Sequence, residues 1–260
     1  MSSVSTVKSS TQENTTPESE SSFFELVKKI ERSATSLRKR RGSACKRLKK
    51  ALVEHSRYAK EAGLRAISLT LTYEDSSQFA SKHISSVLDT LRKAIKRRGQ
   101  SQLPYAWSLE CAERLHYHLI VWLPRSYQID KAKLKRWWPW GSTWIENCRN
   151  PKAWGRYISK FDSLDRLPKN SRAFGYGGLD ENGKTATARA CLPRWLDSIL
   201  PKGHRARRRR GGGWLDTTTS TIYQSPYFWT PSRIMAHGAI VTGAANVDVT
   251  ENNRSACEER

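Results

Sequence analysis

The 260-residue sequence is short of several things, and each shortage excludes a class of protein. No apolar run approaches the roughly eighteen residues that a membrane-spanning helix needs, so no membrane partner is expected. There is no C-x-x-C pair, and the five cysteines (Cys45, Cys111, Cys148, Cys191 and Cys257) are odd in number. This argues against a disulfide framework and a zinc knuckle, and it fits a reducing, cytoplasmic setting. The first twenty residues are polar and rich in Ser and Thr, so they do not read as a secretory signal. Acidic residues are scarce beside basic ones, 24 against 46, which leaves a formal net charge of +22.

An excess of this size calls for a polyanionic partner. Aromatics make up 10 % of the chain, including ten Trp and nine Tyr. Basic residues interleaved with rings suit single-stranded nucleic acid, because charges track phosphates and rings stack on bases. The positive charge is also clustered. Arg40, Arg41 and Lys46 lie in a stretch where eight of thirteen residues are basic, Arg97 and Arg98 close a helical pattern, and Arg207, Arg208, Arg209 and Arg210 precede three glycines. These are the candidate DNA-binding residues, and no small-molecule substrate is expected.

Along the chain, 1–21 reads as a disordered tail and 22–62 as a basic helical region interrupted at Gly42, with Phe23, Leu26, Val27 and Ile30 on one face. The region 63–200 reads as one domain, 201–240 as a basic extension with short strands, and 241–260 as a flexible tail. Within the domain, 67–72, 105–110, 116–123 and 142–146 are predicted strands. Helices are expected over 81–98, 129–138, from Asn150-Pro151 through Phe161, and over 190–200. Phe174-Gly-Tyr-Gly-Gly178 reads as a glycine-rich turn.

The chemistry centres on Leu115-His-Tyr-His-Leu-Ile-Val-Trp-Leu123. Side chains alternate along a strand, so His116 and His118 share one face, about 6–7 Å apart. If Glu110 pairs with His116 across the turn, its carboxylate joins them. A one-residue slip would turn it away and leave Glu113 as the fallback. Two imidazoles and a carboxylate with open positions suit Mn²⁺ or Mg²⁺. Zinc completed by Cys111 and Cys148 is the rival. Downstream, Tyr157 and Lys160 stand one helical turn apart at the edge of a Trp154/Ile158/Phe161 stripe. A divalent cation polarises a phosphodiester, and Lys160 stabilises a phenolate or phosphotyrosine. Tyr157 and Lys160 are therefore the candidate catalytic residues.

Together these motifs resemble the HUH endonucleases that initiate rolling-circle replication. The three segments are Ile67-Ser-Leu-Thr-Leu-Thr72, His116-Tyr-His118 and Tyr157-Ile-Ser-Lys160. Trp122-Leu-Pro124, Trp138-Pro-Trp-Gly141, Ile145-Glu146, Arg149-Asn-Pro151 and 169–178 are similar to initiators of filamentous phages and related plasmids. The resemblance covers about 64–200. It implies an α+β fold, a central antiparallel sheet of about five strands flanked by helices in a palm-like arrangement. It also implies that Tyr157 nicks one DNA strand at an origin, keeps the 5′ phosphate and frees a 3′-OH for synthesis, in the cytoplasm of a bacterial host. Ala153 stands one turn before Tyr157, so this reads as a single-tyrosine enzyme. A host helicase and DNA polymerase would supply unwinding and extension. The alternatives are a non-catalytic nucleic-acid-binding repressor, an HUH single-strand transposase and a plasmid relaxase, the last disfavoured because Tyr157 follows the histidines.

Overall fold

Ile67, Leu69, Leu71 and Tyr73 alternate with Ser68, Thr70 and Thr72, and this period of two separates an apolar sheet face from a mixed one. The computed structural model describes residues 17–161, 163–229, 234–236 and 241–242. In chain order the elements begin with α1 (Pro17–Glu61), β1 (Arg65–Tyr73), a 3-10 turn (Ser76–Gln78), α2 (Lys82–Lys96), β2 (Tyr105–Cys111) and β3 (Leu115–Leu123). They continue with α3 (Lys131–Trp137), β4 (Gly141–Asn147), α4 (Pro151–Ile158), β5 (Phe174–Gly177), α5 (Glu181–Ala190) and α6 (Arg194–Ile199). Short strands follow: β6 (Ala206–Arg208), β7 (Trp214–Asp216), β8 (Ile222–Tyr223), β9 (Tyr227–Trp229), β10 (Ile234–Ala236) and β11 (Val241–Thr242).

The central sheet has five antiparallel strands in the order β4-β1-β3-β2-β5. Its apolar face, with Leu69, Leu71, Leu109, Tyr117 and Leu119, packs on Ile84, Val87, Leu88, Leu91 and Ile95 of α2. The second face is divided along the strands. Ala106, Ile120 and Trp122 pack beneath Leu48, Leu52 and Ala59 of α1 and Ile158 of α4. The other end of that face carries Thr70, Thr72, Ser108, Glu110, His116 and His118. Each fully buried aliphatic side chain contributes about 1.5–3 kcal/mol, so the covered half anchors the sheet and the polar half is left for chemistry. This is the α+β architecture expected from the sequence.

Several boundaries differ from expectation. Gly42 does not interrupt α1, which runs through it; a Cβ there would meet nothing within 4 Å. A single interior glycine costs only about 1 kcal/mol, and packing against the sheet offsets it. The helix begins at Pro17, so the expected tail of 1–21 is helical from that point, while 1–16 lies outside the described residues. The side chains of Phe23, Leu26 and Val27 also lie outside them, and Ile30 is exposed. Phe174-Gly-Tyr-Gly is an edge strand rather than a turn, paired with β2 from Ser108 to Tyr105. The region expected to hold one helix over 190–200 holds two, because Pro193 separates α5 from α6. Val241–Thr242 is a strand paired with β8, and 243–260 lies outside the described residues.

Gly178 ends β5 with φ +77°, and a Cβ there would sit 1.6 Å from the carbonyl oxygen of Leu103. That contact is with backbone and cannot be relieved by a rotamer change. Gly178→Ala should therefore lower stability by about 2–3 kcal/mol, read as a reduced urea midpoint with an unchanged slope.

Candidate metal and tyrosine site

The β2–β3 hairpin is joined by 112–114 and sets the register on which the site depends. Glu110 pairs with His116, Ser108 with His118, and Thr70 of β1 with His118 from the other side. Directly paired residues share a face, so all of these side chains rise from the polar end of the sheet. His116 Nε2 and His118 Nε2 are 3.2 Å apart. Glu110 Oε2 lies 3.6 Å from His118 Nε2 and 4.0 Å from His116 Nε2. Among the described residues, Glu110, His116 and His118 are the cluster able to hold a metal ion, with one ligand atom each, all within 4.8 Å of one another.

The surroundings suit a cation. His116 Nδ1 lies 3.0 Å from the carbonyl of Arg114, which accepts its proton and leaves Nε2 as the free lone pair. His118 Nδ1 has Thr70 Oγ1 at 3.5 Å. Burial pushes His116 below its ordinary value, so it stays neutral and ready to ligate near pH 7. Glu110 Oε1 is buried and lacks a hydrogen-bond partner. An orphaned carboxylate oxygen beside two converging imidazole nitrogens is costly without an ion and explicable with one. The zinc rival fails on geometry: Cys111 packs against the opposite core, and Cys148 belongs to the α1-facing one. Glu113 is not part of the cluster.

Tyr157 approaches from α4. Asn150 caps that helix by accepting from the Ala153 N–H, and Pro151 occupies its first turn. Ile158 is fully buried, so Tyr157 beside it emerges at the sheet surface, 57 % exposed. Its ring lies edge-on to His118, with centroids 5.8 Å apart. Lys160 is not on the helix as expected, because α4 ends at Ile158. Its ammonium nonetheless lies 5.2 Å from the centre of the Tyr157 ring. Phe161 is likewise off the helix, at φ +52°, with its ring buried.

Sequence reading missed how α1 grips this segment. Arg41 Nε donates to the carbonyl of Lys160 at 2.7 Å. Cys45 Sγ contacts Ser159 Oγ at 3.9 Å, and Leu52 packs where a Cβ on Gly155 would fall. No local signal links residues more than a hundred apart. Ser108, buried on the rung of His118 with an unpartnered Oγ, was also missed, although its register follows once Glu110 is paired.

The basic candidates do not all converge. Arg40 and Lys46 are exposed on α1, and Arg207 to Arg210 are exposed on β6 and the turn after it. Arg97 and Arg98 follow α2, across the sheet from the histidines, and the Arg98 guanidinium lies over the Tyr127 ring. Another missed segment, Gly178-Leu-Asp-Glu-Asn-Gly-Lys-Thr185, has the spacing of a phosphate-binding loop. Its structure is not one. The helix starts at Glu181, before the second glycine, and the Asp180 carboxylate already accepts the Gly183 N–H. Lys184 pairs with Glu181. Two carboxylates stand where phosphates would need to enter.

Residues 66–162 match a family model of replication-associated proteins, the ORF2 family. The matched segment belongs to that family. It spans β1 through α4 and so contains Glu110, His116, His118, Tyr157 and Lys160. No curated protein and no solved structure matches the chain. The family match supports a role in replication initiation, in keeping with the resemblance to rolling-circle initiators.

Mn²⁺ at about a hundred times its dissociation constant should stabilise the chain by about 2.7 kcal/mol. Thermal melts should show that gain, and His118→Ala should abolish it. In EDTA, Glu110→Gln should melt no lower than the parent, since it removes a buried charge with one unpartnered oxygen. A gain from Mn²⁺ that survives His118→Ala would place the ion elsewhere.

Proposed function

We propose that this chain nicks and rejoins one strand of DNA at a specific site to start rolling-circle replication. The observation that carries this reading is the Tyr157 ring lying against His118, within the setting of Glu110 and His116. In the forward step, the Tyr157 phenol oxygen attacks a phosphodiester phosphorus. The bond from phosphorus to the 3′ oxygen breaks as the phosphotyrosine bond forms. The phenol proton passes to solvent, and the leaving oxygen takes up a proton to become a 3′-OH. The Lys160 ammonium favours the phenolate and then the phosphotyrosine electrostatically. A divalent cation, Mg²⁺ or Mn²⁺, held by Glu110, His116 and His118, would polarise the phosphoryl oxygens.

The freed 3′-OH would prime a DNA polymerase, and strand separation would fall to a partner helicase. Attack of a 3′-OH on the phosphotyrosine reverses the chemistry and closes the strand. Exposure of Tyr157 supports this reading, because a polymer has to reach it, and so does the +22 charge. No helix among the described residues is long and apolar enough to cross a membrane.

A labelled origin oligonucleotide incubated with Mn²⁺ should yield a covalent protein–DNA adduct. Tyr157→Phe and EDTA should each abolish the adduct, and Lys160→Ala should slow its formation about 100-fold. Intact DNA held equally tightly by the parent and Tyr157→Phe, with no adduct from either, would instead identify a repressor.

A further inference from the structure

Beyond the catalytic face, two clefts run along α1 and meet. The first lies between α1 and the edge strand β5, where Lys39, Arg40, Arg47 and Arg172 surround the Phe174 and Tyr176 rings. The second lies between α1, α5 and β6, where Lys46, Lys50, Arg207 and Arg208 surround Trp214. Each encloses about 670 Å³. Ser43, Arg47 and Tyr176 line both, so the clefts form one groove. Among the described residues lining it, none is acidic.

The rings are presented, not buried. Phe174 and Tyr176 are half-exposed and lie nearly parallel, 22° apart with centroids separated by 6.3 Å. The Arg47 guanidinium is 5.6 Å from the Phe174 ring centre. Trp214 is half-exposed between the two arginines of β6 and the helix. Charges that track phosphates, alternating with flat rings on which bases stack, are the recognition chemistry of a single strand. A duplex keeps its base faces stacked inside and could use only the charges.

The groove also opens towards the site. Phe174 pairs with Ser108, and Ser108 pairs with His118. Paired residues share a face, so Phe174 and His118 stand on the same side of the sheet, two strands or roughly 10 Å apart. We infer that the groove between α1, β5 and β6 is a single-stranded DNA track, holding the uncleaved length of strand next to the phosphodiester at Tyr157. The inference extends the nicking reading, and rests on it only for the identity of the polymer as DNA.

The test is binding of a labelled single-stranded oligonucleotide in EDTA, where no nicking occurs and failure of the nicking chemistry cannot interfere. Anisotropy titrations should show the full chain preferring single-stranded DNA to duplex of equal length. Trp214→Ala should weaken single-strand binding about 10-fold, and Trp214→Phe should restore most of it. Arg207→Ala with Arg208→Ala should reduce the slope of log affinity against log salt by about 1.4. Lys46→Ala, at an exposed helix position, should weaken binding without a change in melting temperature. Preference for duplex or for RNA would overturn the inference, as would unchanged single-strand affinity in all of these variants.

Discussion

Everything at this site depends on the register of one hairpin. Glu110 faces His116 because β2 and β3 turn over three residues, and Cys111 meets Leu115 at the closing pair. A shift of one residue would send the carboxylate into the apolar core with Leu109 and Tyr117, and would bring Cys111 to the metal face. The register is held by burial. Leu109, Tyr117 and Leu119 are almost wholly sequestered on the opposite side, so a slip would expose several large side chains at about 1.5–3 kcal/mol each. The apolar face therefore fixes the geometry of the polar one, and the ligand cluster inherits its precision from a core it does not touch.

The long basic helix has two jobs on two sides. Leu48 and Leu52 roof the apolar half of the site face, while Arg41 and Cys45 hold the chain just beyond Tyr157. Its outward residues, Lys39, Arg40, Lys46, Arg47 and Lys50, line the groove. A phosphate chain lying along that helix would lie along the element that places the tyrosine. Charge alone reads as an electrostatic tail on sequence; the packing makes the same helix part of the catalytic scaffold.

What was legible in the sequence was periodic or local. Strand alternation around Ile67 and His116 gave both the strands and their faces, and Asn150-Pro151 gave the start of α4. The carboxylate partner of the histidines followed from hairpin spacing. What was not legible depended on distant contacts. Gly42 looks like a break until the sheet beneath α1 is known, and Phe174-Gly-Tyr-Gly looks like a turn until β2 supplies a partner. The glycines there serve close approach: a Cβ on Gly175 would meet the Trp107 ring at 2.6 Å. Spacing misleads in the other direction at Gly178–Thr185, where a phosphate-loop pattern is spent on capping a helix with its own carboxylate.

The end of α4 shows how such long-range demands shape chemistry. A helix continued through Phe161 would carry Lys160 onward along its axis. Instead Phe161 adopts φ +52°, a conformation that costs a non-glycine residue roughly 1–2 kcal/mol. Its ring is buried among Ile158, Ala106 and Phe174, and that burial is worth about 1.5–3 kcal/mol, enough to offset the strain. The turn that results leaves the Lys160 carbonyl to accept from Arg41 and the Lys160 ammonium beside the Tyr157 ring. A hydrophobic side chain seeking the core thus sets where the cation next to the nucleophile stands. That placement does not rely on the i,i+3 relation of an extended helix, which is why Tyr157 and Lys160 remain neighbours although only one of them is helical.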